Sequence, residues 1–187
     1  KWLKPRPTAL RSVERPIVRH YTRLRWAACS ARSPSAVNGA VREFKKRSGT
    51  KAGVYVLVRC PPGLRRTVVV RGVLSGAFQV LYIGLSETEH RHRAAQFACG
   101  LVGNKPRHDA AKQVLSDPGL AASNDLQLLL CSFSPAFSLE EFLLNQHARR
   151  FGDFPPFNHG RSTRPSTHVR KMSRRINWDM LVRPWLE

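Results

Sequence analysis

Two tyrosines beside glycines are the first residues of this 187-residue chain whose types and positions point to chemistry. One ends the triplet GVY at 53–55, and the other begins the triplet YIG at 82–84. A phenol can accept or donate a proton, and the guanidinium groups of Arg91 and Arg93, a few residues later, can neutralise the oxygens of a phosphate. These residue types suit proton transfer beside a phosphodiester. The plainer alternative is that each tyrosine is an ordinary residue at the edge of a core strand.

Positive charge is concentrated at the two ends of the chain. There are 32 Lys and Arg against 12 Asp and Glu, which gives a net charge of +20. Residues 1–52 carry +12 and residues 160–187 carry +5, whereas residues 53–159 carry only +3. Basic ends on a near-neutral middle are typical of proteins that bind nucleic acid, because each neutralised phosphate releases counterions. We therefore expect DNA or RNA as the partner.

Neither the apolar runs nor the cysteines indicate a membrane protein or a zinc protein. No run of about 18 apolar residues, as a membrane span needs, occurs in the sequence. The four cysteines lie 31, 39 and 32 residues apart, without a C-x-x-C pair. Histidines two apart on a helix point to different faces, which disfavours a metal site at His90, His92 and His108. Four ordinary thiols predict a reducing compartment, either the cytoplasm or the matrix of an organelle.

Apolar runs rich in β-branched residues predict the strands. Three consecutive strands are expected at 52–59 (AGVYVLVR), 67–74 (TVVVRGVL) and 78–85 (FQVLYIGL), and a fourth at 125–133 (DLQLLLCSF). Because short links join the first three, such as CPPG at 60–63, they are expected to form an antiparallel meander.

Capping signals predict the helices. A short helix capped by Ser35 has Val37, Val41 and Phe44 as its apolar face. Further helices are expected after a capping box formed by Ser86 and Glu89, at 106–117, and at 138–152 after a capping box formed by Ser138 and Glu141. In the last of these helices Glu141 folds back onto the helix start, which leaves Glu140 to point elsewhere.

This order of elements predicts an α+β fold, in which a small, mostly antiparallel β-sheet is flanked by helices. The length suits one core with extensions. We expect a basic N-terminal arm at 1–51, the folded domain at 52–160 and a basic C-terminal tail at 161–187. The tail residues expected to contact phosphates are Arg161, Arg164, Arg170, Lys171, Arg174 and Arg175.

The paired triplets at 53–55 and 82–84, in this order and each on a predicted strand, resemble the signature of the GIY-YIG endonucleases. The resemblance covers about residues 52–160 and implies a GIY-YIG-like fold. It also implies an arginine on the helix after YIG, and the family's spacing falls on His92. We assign Arg93, because Ala94 then matches the small or apolar residue that follows the arginine, and Arg91 stays an alternative.

The resemblance further implies a glutamate on a later helix and an asparagine after a proline-containing loop. The pattern LEEFLL at 139–144 is similar to the family's glutamate motif and has Glu140 in the carboxylate position. Asn158, which follows Pro155 and Pro156, matches the asparagine.

The resemblance and the needs of phosphodiester hydrolysis together imply a role for each residue. Glu140 would bind one Mg²⁺ that keeps most of its waters. Tyr55, with a pKa lowered by the metal and by Tyr82, would accept the proton of the attacking water. Arg93 would neutralise charge on the non-bridging oxygens, while Tyr82 and Asn158 would orient the other groups.

Two functions are compatible with these features. The first is a Mg²⁺-dependent endonuclease. The second is a non-catalytic RNA-binding subunit of a ribonucleoprotein, such as an organellar (mitochondrial) ribosome, that reuses the GIY-YIG fold. Phe97 favours the second, because it stands one helical turn after Arg93, where many members of the family have a histidine or tyrosine. The intact Tyr55, Tyr82, Glu140 and Asn158 favour the first.

Overall fold

The computed structural model describes residues 24, 26–48, 51–60, 79–87, 90–103 and 108–158, without the side chains of 44, 45, 47, 48 and 90–92. The strands in these ranges are β1 (Ala27–Ser30), β2 (Gly53–Arg59), β3 (Gln79–Ser86) and β4 (Leu126–Ser132). The helices are α1 (Pro34–Ser48), α2 (His90–Leu101), α3 (Asp109–Ser116), α4 (Pro118–Ala121) and α5 (Ala136–Phe151). No helix in the described ranges is long and apolar enough to cross a membrane.

The four strands form one antiparallel sheet in the order β1-β4-β2-β3. The predicted α+β class, with a small antiparallel sheet and helices, is confirmed. Strand β2, which carries the GVY triplet, pairs with β3 on one side and with β4 on the other. The strand predicted at 67–74 lies outside the described residues, as do the tail at 161–187 and residues 1–23 of the N-terminal arm.

The register of β2 and β3 brings the two triplets side by side. Tyr55 lies opposite Gly84, and Leu57 lies opposite Tyr82. The pairing then shifts by one residue, so that Val58 lies opposite Val80 and the intervening Leu81 is the extra residue of a β-bulge. A bulge turns the local direction of side chains, and Leu81 and Tyr82 consequently pack in the same core cluster.

Alternation along the strands divides the core into two clusters. One cluster, which we call the tyrosine face, includes the sheet residues Tyr55, Leu57, Leu81, Tyr82, Leu128 and Leu130. The other, which we call the valine face, includes the sheet residues Val54, Val56, Val58, Ile83, Leu129 and Cys131. Helices α1, α2 and α3 pack on the tyrosine face, and α5 packs on the valine face. Successive residues of a strand point to opposite faces, which explains this division.

Residues 27–48, which the sequence assigns to the arm, contribute strand β1 and helix α1 to the folded body. Val37 and Val41 of α1 are buried on the tyrosine face, as the predicted apolar face requires. The predicted cap Ser35 is wrong, because the helix begins at Pro34. The hydroxyl oxygen of Ser33 accepts the N–H of Ala36 at 3.3 Å instead.

Helix α2 begins later than its predicted capping box. Ser86, the predicted cap, is the last residue of β3 and lies opposite Gly53. The first helical residue is His90, and Glu89 lies outside the described residues. Strand β3 extends to Ser86, where it still pairs with Gly53 of β2. The local capping pattern contains no information about this pairing.

The start of α5 is also capped differently from the prediction. The helix begins at Ala136, two residues before Ser138, so the capping box of Ser138 and Glu141 is wrong. The carboxylate of Glu87, which directly follows β3, accepts the N–H of Phe137 at 2.6 Å and that of Ala136 at 3.3 Å. A carboxylate at the positive end of a helix dipole stabilises the helix. Glu87 therefore ties the end of the YIG strand to α5.

Candidate functional site

Tyr55 lies at the centre of the tyrosine face. Its side chain is 0 % exposed, because β2 is an inner strand and α2 covers it. The ring centroid lies 6.0 Å from that of Tyr82 and 5.7 Å from that of Phe97. The two tyrosines that the sequence singled out are therefore neighbours.

Gly84 is required by the position of the two rings. A Cβ atom at this residue would lie 2.6 Å from Cε1 of Tyr82, 2.7 Å from Cζ of Tyr55 and 2.8 Å from the Tyr55 hydroxyl oxygen. Contacts this short do not occur between real Cβ atoms and their neighbours. The glycine of the YIG triplet thus leaves room for the tyrosine of the opposite triplet to lie across the strand.

The rings of Tyr82 and Phe97 stack nearly parallel to each other. Their ring centroids are 5.5 Å apart and their planes are inclined by 11°. Tyr82 is 8 % exposed and Phe97 is 0 % exposed. Phe97 is thus a buried ring by which α2 packs on the sheet.

His108 supplies an imidazole to this cluster, although its sequence position suggested only a disfavoured metal site. Its Nε2 lies 2.8 Å from the hydroxyl oxygen of Tyr55. Its ring stands edge-on to Phe97 at 5.0 Å and to Tyr82 at 5.6 Å. The residue directly precedes α3, which begins at Asp109. The only signal in the sequence was a histidine at a predicted helix start, and 53 residues separate it from Tyr55.

The surroundings of His108 keep its imidazole neutral at pH 7. Burial, together with the nearby charge of Arg93, lowers the pKa of His108 to about 4, against a smaller opposing contribution from Asp109. A neutral imidazole has one nitrogen that donates and one that accepts.

Arg93 is the cation of the cluster. It lies on α2, is exposed, and is close enough to Tyr55 for its charge and a hydrogen bond to lower the pKa of that phenol. Burial outweighs both effects, and Tyr82 adds to the increase, so the pKa of Tyr55 lies well above 10. The expectation that Tyr82 lowers this pKa is therefore wrong. The alternative Arg91 also lies on α2, but its side chain is outside the described residues, as is that of His92.

Asn158 is bonded to the backbone of β3 and not to a side chain of the cluster. Its Oδ1 accepts the N–H of Ile83 at 2.8 Å, and its Nδ2 donates to the carbonyl of Ile83 at 2.7 Å. Ile83 is the middle residue of the YIG triplet, and Asn158 is 5 % exposed. The asparagine therefore holds the strand that carries Tyr82, as a buried amide with both ends satisfied.

Glu140 is a buried residue of α5. It is 3 % exposed, and its helix packs on the valine face through Leu139, Phe142 and Leu143. The structure thus gathers the two tyrosines and Arg93 in one cluster. Asn158 is bonded to β3, the strand that carries Tyr82. Glu140 lies on α5, whose first turn is bonded to Glu87 at the end of β3.

The predicted Mg²⁺ site has one carboxylate ligand from the protein, that of Glu140. Within the described ranges, no three His, Cys, Asp or Glu side chains lie close enough together to hold a metal ion. Mg²⁺ commonly binds one or two carboxylates and keeps several waters. Glu140 offers one carboxylate, and 3 % of the residue is exposed.

The cluster can exchange a proton and bind an anion. A phenol and a neutral imidazole joined at 2.8 Å can share one proton, and the exposed Arg93 can bind a phosphate. Comparison of the chain with protein-family models, with curated proteins and with solved structures finds no match in any of the three.

Proposed function

We propose that the chain is a nucleic-acid-binding protein with a GIY-YIG nuclease-like domain, and that it is an endonuclease that hydrolyses phosphodiester bonds with Mg²⁺. The observation that carries this proposal is the contact of Tyr55 with Tyr82, Arg93 and His108 on adjoining elements. Proton-accepting groups beside an exposed guanidinium are what hydrolysis of a phosphodiester requires from side chains.

The charge distribution supports a polyanionic substrate. The net charge of +20 attracts phosphates over a distance, and each contact with a phosphate adds to affinity at low salt. Arg93 binds a non-bridging oxygen of the phosphate through its guanidinium. In this proposal Tyr55 accepts the proton of the attacking water, which requires a bound cation to offset the raised pKa of its phenol. Tyr82 packs against Tyr55.

Glu140 is the residue that would hold Mg²⁺. When bound, the ion supplies positive charge for the phosphate and lowers the pKa of a bound water. The carboxylate's own contribution is a negative charge at a buried position, which repels a phosphate unless a cation lies between them.

The test is a cleavage assay on plasmid DNA and on structured RNA, with Mg²⁺ or with a chelator. Glu140→Gln should abolish cleavage, while affinity in metal-free buffer stays level or rises, because a negative charge is removed. Glu141→Gln is the matched control, since it removes the neighbouring carboxylate of the same helix, and it should still cleave. Equal cleavage by the wild type and Glu140→Gln contradicts the role of Glu140.

The burial of the cluster favours a second function, that of an RNA-binding subunit of a ribonucleoprotein without nuclease activity. Tyr55 and Phe97 are 0 % exposed and Tyr82 is 8 % exposed, so aromatic rings fill the space between α2 and the sheet. In that case the wild type binds RNA with strong dependence on salt and cleaves neither substrate at any Mg²⁺ concentration.

A further inference from the structure

Two phenylalanines are exposed at opposite ends of α5. Phe137 lies in the first turn of the helix and Phe151 is its last residue, and each is 55 % exposed. Among the residues that the structure describes, they are the most exposed of the large hydrophobic side chains. A single exposed apolar residue is common on protein surfaces, so the charged groups beside each ring decide whether it can bind a ligand.

The side-chain charges at the two ends of α5 are opposite. At Phe137, the carboxylate of Glu87 accepts the backbone N–H at 2.6 Å. At Phe151, the two preceding residues are Arg149 and Arg150, and both are exposed. The Cζ atom of Arg150 lies over the Phe151 ring, 5.8 Å from the ring centroid. These side chains therefore disfavour an anionic ligand at Phe137 and favour one at Phe151.

His147 packs against the Phe151 ring. It lies one helical turn earlier on α5, and the two ring centroids are 4.6 Å apart with the planes inclined by 46°. The imidazole is 8 % exposed, and its Nδ1 is 2.7 Å from the carbonyl oxygen of Asp153. A ring held by a buried neighbour loses little conformational entropy when a flat group stacks on its exposed part.

Negative charge at this end of α5 is smaller than the charge of the two arginines. Asp153 is exposed, and its Oδ1 accepts the N–H of Phe154 at 2.7 Å. The carbonyl end of a helix adds a partial negative charge. The charges of Arg149 and Arg150 exceed these two contributions, which together amount to about −1.5. The end of α5 thus attracts anions.

We propose that Phe151, Arg149 and Arg150 form a binding site for unpaired nucleotides, in which a base stacks on the Phe151 ring and the arginines contact the neighbouring phosphates. Every nucleobase has a flat π face, and guanidinium groups bind phosphate. Because Arg150 is exposed, its side chain can move aside to make room for a base. A base that is paired and stacked within a duplex does not offer its face to a side chain, so the site favours single strands.

The site is separate from the tyrosine face. It lies on α5, which packs on the valine face, whereas Tyr55 belongs to the other core cluster. The inference rests on the nucleic-acid binding in the proposed function and not on hydrolysis. It adds a substrate class to that function, namely unpaired segments of DNA or RNA.

The experiment compares Phe151→Leu with Phe137→Leu. Phe151→Leu keeps an apolar side chain beside His147 and removes the ring, while Phe137→Leu makes the same change at the equally exposed position beside Glu87. Fluorescence anisotropy, with a chelator present, measures binding of the full chain to a labelled DNA single strand, to RNA of the same sequence and to the DNA duplex. We expect Phe151→Leu to bind single strands roughly 5- to 150-fold more weakly, with little change on the duplex. Phe137→Leu should bind like the wild type, and Phe151→Tyr, which keeps a ring, should restore binding.

The dependence of binding on salt separates stacking from charge. Phe151→Leu should leave the slope of log affinity against log salt unchanged, because no phosphate contact is lost. Arg149→Gln and Arg150→Gln should each reduce the magnitude of this slope by about 0.7 on a single strand. Loss of affinity in the DNA arm or in the RNA arm supports the site and identifies the strand that it binds.

Two results overturn the inference alone: equal single-strand binding by Phe151→Leu and Phe137→Leu, or an equal loss by Phe151→Leu on the duplex and on single strands. A wild type that binds none of the three nucleic acids defeats the proposed function and this inference with it.

Discussion

The two faces of the sheet differ in the side chains that the strands bury on them. On the valine face, α5 covers aliphatic side chains such as Val54, Val56 and Ile83. On the tyrosine face, two phenols and an imidazole lie among the core residues beneath α2 and α3. Aliphatic burial is non-directional and tolerates small shifts, whereas a buried hydroxyl needs a partner at a fixed distance and angle.

This difference shows where specific chemistry is concentrated in the fold. Buried polar groups cost free energy unless each is hydrogen-bonded. On the tyrosine face such groups include the sheet residues Tyr55 and Tyr82, whereas on the valine side they lie on α5, as Glu140, Gln146 and His147. Strand β2 contributes to both faces through alternate residues. Disturbing one face without the other is therefore possible only by substitutions at alternate positions or at residues outside the strand.

The largest effect on this comparison is expected from Asn158→Asp, because Asn158 is bonded to β3, which also contributes to both faces, through Tyr82 and Ile83. The new oxygen would oppose the carbonyl of Ile83, which now accepts from Nδ2 at 2.7 Å. A buried hydrogen bond is lost and two acceptors face each other, which should lower the free energy of unfolding by roughly 2–5 kcal/mol. Urea denaturation measures the loss. Asn124→Asp, at an exposed position, is the control and should be nearly neutral.

Acid should destabilise the tyrosine face more than the valine face. The pKa of His108 falls from 6.5 to about 4 on folding, so the unfolded chain binds the proton first as the pH drops. Stability is then lost between about pH 6.5 and pH 4, by at most on the order of 3 kcal/mol, and by less where solvent screens the ring. Burial also lowers the pKa of His147, but Asp153 opposes this through its carbonyl and its charge.

Denaturation at a series of pH values tests this difference. His108→Gln should flatten the dependence of stability on pH in this window more than His147→Gln does. If His147→Gln reduced the pH dependence of stability more than His108→Gln, the expectation that acid destabilises mainly the tyrosine face would be wrong.

Gly84→Ala should disturb the tyrosine face selectively. The added methyl group would lie 2.6–2.8 Å from atoms of Tyr55 and Tyr82, so both rings must shift, at a cost of about 1–3 kcal/mol. Near-ultraviolet circular dichroism should report the displaced tyrosines. Gly39→Ala is the control: it lies on α1 with nothing within 4 Å of a new Cβ, and a helical alanine there should stabilise by about 0.5–1 kcal/mol. Unchanged tyrosine signals in Gly84→Ala would contradict the close approach.

The smallest effect is expected for the cap of α5, on the valine side. Glu87→Ala removes the acceptor of the Phe137 and Ala136 N–H groups and should cost about 1 kcal/mol. Ser138→Ala, at the position that the sequence predicted as the cap, should cost less. Thermal denaturation of the two variants separates them, and a larger loss in Ser138→Ala would show that the contact with Glu87 is not the effective cap.

Local patterns predicted β2, β3 and β4, because a run such as 52–59 carries its own periodicity and end signals. They did not predict β1, a four-residue strand in the segment assigned to the arm. The neighbouring positions of Tyr55 and Tyr82 followed from pairing two adjacent strands. The partners of the side chains did not follow from such patterns. His108 contacts Tyr55 across 53 residues, Glu87 caps α5 across 50, and Asn158 reaches Ile83 across 75. These contacts depend on the packing of whole elements, which no local rule contains.

The bonds of the 157–158 segment to β3 have a consequence for the behaviour of the protein at high concentration. Within the described sheet β3 is an outermost strand, and an open rim of this kind is a template on which a strand of another molecule can add. The N–H of Phe157 donates to the carbonyl of Leu81 at 3.0 Å, and Asn158 occupies both backbone groups of Ile83. Residues 157 and 158 thus occupy backbone hydrogen-bonding groups of the edge strand β3 at the YIG triplet. Loss of Asn158 should therefore promote aggregation through this strand even under conditions in which the core remains folded.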